Sequence, residues 1–144
     1  MIIQKVLIVD DSSTSRMITK RCLEIAGFRG IEFCEAEDGL KALAFLRKQR
    51  VDLVLSDLKM PKMDGTTFIR KLKLDDATRD LPVIVISSMG NDVTEKQLEN
   101  EGVAGIIRKP VSPEKITATI SGVFGAETME SADEDEGDIL GGIL

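Results

Sequence analysis

Three aspartates, a serine pair and a lysine occupy the positions in this chain where chemistry could be done. Asp10 and Asp11 close the run VLIVDD, Asp57 closes LVLSD, Ser87 and Ser88 close VIVISS, and Lys109 with Pro110 closes IIRKP. Each group follows a short aliphatic run of strand length. In a parallel sheet they would gather at the carboxyl ends of the strands, where open α/β folds bind ligands. Adjacent carboxylates repel one another and lose hydration when buried, so three at one edge require a cation or a lysine to offset them. The chain has no histidine, which leaves an oxygen-rich donor set that favours Mg2+ over transition metals. With a phosphoryl group on Asp57, the ion and Lys109 would neutralise its charge, while Ser87 and the amides after it donate hydrogen bonds. The chemistry expected is phosphoryl transfer by positioning and electrostatics.

The elements that must position these groups are legible as alternation. Aliphatic runs recur at Val6–Val9, Ile31–Cys34, Val51–Leu55, Val83–Ile86 and Gly105–Ile107, each followed by a stretch of helical spacing. The first helix is capped by Ser12 or Ser13, carries Met17, Ile18, Cys22, Leu23 and Ile25, and stops at Gly27. The second covers Gly39 to about Arg47, with Leu40, Leu43, Ala44 and Leu46 facing inward. The third opens near Asp64-Gly65 and presents Phe68, Ile69 and Leu72. The fourth, roughly Asn91–Glu101, has Val93 and Leu98 as nearly its only large apolar residues, which predicts weak anchoring. The fifth begins at Ser112-Pro113 and runs through Ile116 and Ile120 to Phe124. Continuous runs such as VLIV and VIVI are the mark of strands buried on both faces of a parallel sheet. Right-handed βαβ crossovers then give a compact α/β sandwich over residues 1–125.

Composition narrows the classes. With 144 residues the chain fits one domain. No run approaches the roughly 18 apolar residues of a membrane span, and MIIQKVLIVD does not resemble a signal peptide, so a cytoplasmic location is expected. Cys22 and Cys34 lack CxxC spacing and read as small buried residues. The net charge of −6 is concentrated in residues 127–144, which hold seven acids and no base, leaving 18 acids against 19 bases elsewhere. A near-neutral body with an acidic tail lacks the basic face that nucleic acid needs. Residues 126–144 form a segment too polar to order itself until Ile139, Leu140, Ile143 and Leu144, four aliphatics that a plain solubilising tail does not require.

Taken together, VLIVDDS at 6–12, LVLSDLKMPKMDG at 53–65, VIVISS at 83–88 and IRKP at 107–110 resemble the receiver domain of bacterial response regulators, over residues 3 to about 125. The resemblance implies a flavodoxin-like (βα)5 three-layer sandwich with a five-stranded parallel sheet in order 2-1-3-4-5. It makes Asp57 the phospho-acceptor, with Asp10, Asp11 and the backbone carbonyl of Lys59 completing the Mg2+ site. Ser87, beside Ser88, becomes the switch hydroxyl and Lys109 the phosphate-pairing lysine. Met60, Pro61 and Gly65 would shape the acceptor loop, and the bond before Pro110 is a candidate cis peptide. The partners implied are a histidine kinase as donor and a protein target bound through the fourth helix, fifth strand and fifth helix. The alternative role is a relay passing the phosphoryl group to a histidine phosphotransfer domain.

Two departures bear on output. The aromatic switch residue of such receivers is replaced by Ile106, whose stiff side chain has no ring to swing. Lys59 and Met89 lie two residues beyond Asp57 and Ser87, where access of water to a phospho-aspartate is tuned. The acidic-then-aliphatic tail resembles peptides that grip chemotaxis receivers, which suggests docking on this chain's own or a neighbour's output face. Two rival classes fit less well. A haloacid-dehalogenase-like phosphatase needs a second aspartate two residues beyond its nucleophile, and Asp10-Asp11-Ser12 lacks it. A flavodoxin-like cofactor binder would use Ser12-Ser13-Thr14-Ser15 as a phosphate loop, but the acid pair just before it repels phosphate.

Overall fold

In the computed structural model, residues 3–88 and 92–125 are described, apart from the side chain of Asp92. The expectations placed on Met89 and on residues 126–144 lie outside them. Strands and helices alternate as β1 (Lys5–Val9), α1 (Ser13–Ile25), β2 (Glu32–Ala36), α2 (Gly39–Lys48), β3 (Leu53–Asp57), α3 (Gly65–Leu74), β4 (Val83–Ser87), α4 (Asp92–Asn100), β5 (Gly105–Arg108) and α5 (Pro113–Phe124). All neighbouring strands pair in parallel, and the sheet order is β2-β1-β3-β4-β5. Two strands begin and end later than the aliphatic runs suggested. β2 extends to Ala36 and β3 to Asp57, because pairing with β1 and β4 carries the ladder past the last aliphatic residue.

The continuous runs are explained by two cores, one on each face. Along β1, Val6 and Ile8 join Leu53, Leu55, Ile84 and Ile86 under α1 and α5. Leu7 and Val9 point the other way, joining Val54, Val83 and Val85 under α2, α3 and α4. Successive side chains alternate across a strand, so a strand covered on both sides must be apolar throughout.

Side-chain oxygens cap four helices: Ser12 accepts from the Ser15 amide, Asp38 from Lys41, Asp64 from Thr67 and Ser112 from Lys115. Each satisfies an amide that the first helical turn leaves without a partner. The cap of α1 is thus Ser12 rather than Ser13.

One helix is rotated from the face expected, and a second splits its aliphatics between inside and outside. On α2 the inner residues are Ala42, Leu43, Phe45 and Leu46, while Leu40 and Ala44 are exposed. On α1, Thr19, Cys22 and Leu23 are buried and Met17, Ile18 and Ile25 face outward. Several stripes in each helix contain aliphatics, and only packing against the sheet selects one. The thiols also differ: Cys22 is buried and Cys34 half-buried, and burial pushes both thiol pKa values up, away from thiolate reactivity. Among the described residues, no helix is long and apolar enough to cross a membrane.

Candidate functional site

The sheet order reverses direction between β1 and β3: from β1 the chain first winds outward to β2, then returns to β3 on its other side. At such a switch point the strand ends open a crevice. Val9 of β1 lies beside Ser56 of β3, so the residues that follow, Asp10 and Asp57, leave the sheet side by side. The carboxylate oxygens of Asp10, Asp11 and Asp57 all lie within 4.8 Å of one another. Residues separated by 46 or more positions in the chain are thus joined by one pairing of parallel strands.

Each acid is held differently. Asp10 is buried, its Oδ1 accepting the Ser12 amide at 2.9 Å, while its backbone carbonyl accepts from the Arg16 guanidinium at 2.6 Å. Arg16 in turn pairs with Glu35 at 2.7 Å. Asp11 is exposed at the mouth. The Asp57 side chain is only 11% exposed, with Oδ1 accepting the Leu58 amide at 2.7 Å and Oδ2 lying 3.4 Å from Lys109 Nζ. Burial pushes the Asp57 carboxyl above its ordinary pKa; Lys109 opposes the shift and Asp10 adds to it. The lysine alone does not offset the desolvation and the neighbouring acid. Three converging carboxylates, one of them raised in this way, form a hard oxygen site that a divalent cation would relieve.

The fourth and fifth strands bring the other groups. Ser87 is buried at the end of β4, its carbonyl accepting the Lys109 amide at 2.8 Å, and Ser88 beside it is exposed. The Lys109–Pro110 bond is cis. Ile106 is half-buried and packs toward the core beneath α3 and α4. Lys59 is exposed in the loop after Asp57, and Met60 and Pro61 continue that loop.

The loop closes on Gly65, whose amide donates to the Leu58 carbonyl at 2.8 Å. A Cβ at this position would lie 2.9 Å from the Asp57 carbonyl oxygen and from the Leu58 Cα, so glycine is required for α3 to start this close to Asp57.

Two contributors were not picked out from the sequence. Arg16 secures the backbone of Asp10 from α1. Asp38, a buried cap of α2, lies 3.7 Å from Lys62 Nζ and so ties the loop after Asp57 to the neighbouring helix. The Asp38-Gly39 pair before a helical run is a capping signal that could have exposed the second.

Comparison with known proteins agrees with this geometry. The model of the response regulator receiver domain family matches residues 6–121. A probable chemotaxis protein CheY of Rhizobium etli is 35% identical over 122 residues, covering 85% of this chain and 93% of the relative. Chemotaxis protein CheY-3 of Vibrio cholerae is 35% identical over 120 residues, covering 83% and 91%. Among solved structures, the chemotaxis response regulator CheY4 of Vibrio cholerae superposes with a TM-score of 0.75 at 30% identity, covering 85% of this chain and 99% of that one.

Proposed function

The chain belongs to the response regulator receiver family, which makes it a regulatory protein, and from that premise we propose that it acts as a stand-alone receiver in chemotaxis or motility, phosphorylated on Asp57. The supporting observation is the convergence of Asp57, Asp10 and Asp11 within 4.8 Å, with Lys109 Nζ at 3.4 Å from the acceptor. In this reading Asp10, Asp11, Asp57 and the Lys59 carbonyl hold Mg2+, whose charge would neutralise phosphoryl oxygens.

A carboxylate oxygen of Asp57 forms a bond to phosphorus as the P–N bond of a kinase phosphohistidine breaks, the imidazole leaving with the electron pair. Lys109 pairs with the transferred oxygens, and the hydroxyls of Ser87 and Ser88 lie at the adjacent strand end, where a hydroxyl can donate to them. The Leu58 amide orients the acceptor carboxylate.

The message then passes to a protein target across the face of α4, β5 and α5. Ile106 offers no ring to report the change, so α4 itself carries it. A relay to a histidine phosphotransfer domain is the second reading, favoured by that missing ring.

Incubation with a small phosphodonor and Mg2+, followed by intact mass, tests the acceptor. Wild type should gain one phosphate and Asp57→Asn none; a gain that survives the substitution overturns the assignment. In this reading Lys59, exposed two residues beyond Asp57, hinders an attacking water. Lys59→Asn should shorten the phosphoryl lifetime by less than about tenfold, an exposed charge being worth little. Equal rates of phosphate loss would show Lys59 to be a solvated side chain.

A further inference from the structure

α1 carries the largest set of outward aliphatics on any one helix among the described residues: Met17 is 64% exposed, Ile18 48% and Ile25 57%. Its buried positions, Thr19, Cys22 and Leu23, already satisfy the sheet. Ile18 and Ile25 flank Cys22 at spacings of four and three, and Cys22 faces the α5 side: its Sγ lies 3.9 Å from the Val111 carbonyl and Glu114 acts on its thiol. The two isoleucines therefore lie along the shoulder of α1 that borders α5. Arg21 stands between them, largely exposed and only loosely paired with Glu24 at 3.8 Å.

We propose that residues 126–144 fold back on this shoulder, Ile139, Leu140, Ile143 and Leu144 covering the stripe of Met17, Ile18 and Ile25 while the acids before them face Arg21. The segment leaves from Gly125, at the end of α5, and α1 and α5 share one core with Phe124 packed against it. Thirteen residues separate Gly125 from Ile139 and span up to about 45 Å when extended. The 13-residue α1 is about 20 Å long, so any part of it is within reach. Tethering on that scale sets a local concentration in the millimolar range, on the order that a weak contact needs.

Charge agrees at Arg21, the cation that stands between the two isoleucines, while Arg16 and Lys20 are turned to Glu35 and Phe33; residues 127–138 hold seven acids and no base. Glu114 on α5 adds a negative charge near Cys22 from the neighbouring helix.

The face of α4, β5 and α5 fits the same segment less well. Its shallow cavity is walled by Ile106, Ala118 and Thr119, and its cations are engaged. Arg108 forms two hydrogen bonds to Glu95 at 2.6 and 3.0 Å, and Lys115 donates to the carbonyls of Arg108 and Pro110. α1 begins two residues beyond Asp11. A covered α1 would accordingly hinder a protein phosphodonor and leave a small one unaffected, a consequence that rests on the receiver reading.

The test compares amide spectra of the full chain with those of a variant carrying Ile139→Ser, Leu140→Ser, Ile143→Ser and Leu144→Ser. Shifts confined to residues 17–25 and the facing side of α5, unchanged on dilution, are expected. The surface variant Ile18→Ser with Ile25→Ser should release the same four tail positions, seen as a loss of their heteronuclear NOE. No change along α1, changes centred on Glu95, Ile106 and Arg108 instead, or shifts that vanish on dilution and so report a second copy, would each overturn the proposal. None of these measurements depends on phosphorylation, so the receiver reading can fail without them.

Discussion

The acid edge and α4 stand at opposite extremes of how this domain holds its parts. Asp10 and Asp57 emerge from β1 and β3, strands whose residues Val6–Val9 and Leu53–Ser56 are buried on both faces. Gly65 fixes the loop beside them through backbone contact. Among the described residues, α4 by contrast places only Leu98 in the core, while Val93 is 80% exposed. Surface ion pairs also tie it, Glu95 with Arg108 and, just past its end, Glu101 with Arg70. Burial of apolar area stabilises far more than an exposed ion pair does. The molecule thus couples a rigid place for chemistry to a helix whose local stability is low, the kind of element that shifts between conformations at small cost.

Leu98→Ala is the strongest way to sharpen that contrast. It should cost about 3 kcal/mol, and hydrogen exchange should show the loss concentrated in α4, with β1 and β3 still protected. A loss spread evenly over the sheet would make α4 an integral part of the core and break the comparison. Gly65→Ala attacks the rigid side. Its methyl must displace the backbone at Asp57 and Leu58, which should cost about 2 kcal/mol and reduce phosphate incorporation with a small donor. Full incorporation together with lost stability would mean that Asp57 does not depend on this close approach. Glu95→Gln should be the mildest, raising amide exchange in α4 and weakening its dependence on salt without moving the global transition. A clear drop in global stability would assign that pair a structural role.

Much of the site was legible because its signals are local. Each acid, the Ser87-Ser88 pair and Lys109 follow an aliphatic run within a residue or two, and a two-sided parallel strand advertises itself by continuous hydrophobicity. The weak hold on α4 was also readable, from its shortage of large apolar residues. Leu40 and Ala44, expected inside, are outside, since a 3.6-residue period permits neighbouring stripes and the sequence alone does not say which one the sheet will cover. The same ambiguity concealed the outward face of α1. Asp38 was readable as a cap, but its pairing with Lys62 was not, because the approach of a loop and not spacing along the chain chooses that partner.

By itself the sequence determined the alternation of elements, the caps of α3 and α5 and the inventory of charged groups at the strand ends, all of which depend on residues a few positions apart. Only the tertiary structure decided that Asp10 and Asp57 meet, by pairing β1 with β3, and that burial raises the Asp57 carboxyl while Lys109 opposes it. It also decided which side of α1 remains exposed. Those outcomes depend on distances between segments far apart in the chain, which packing of two cores against one sheet sets and local pattern does not.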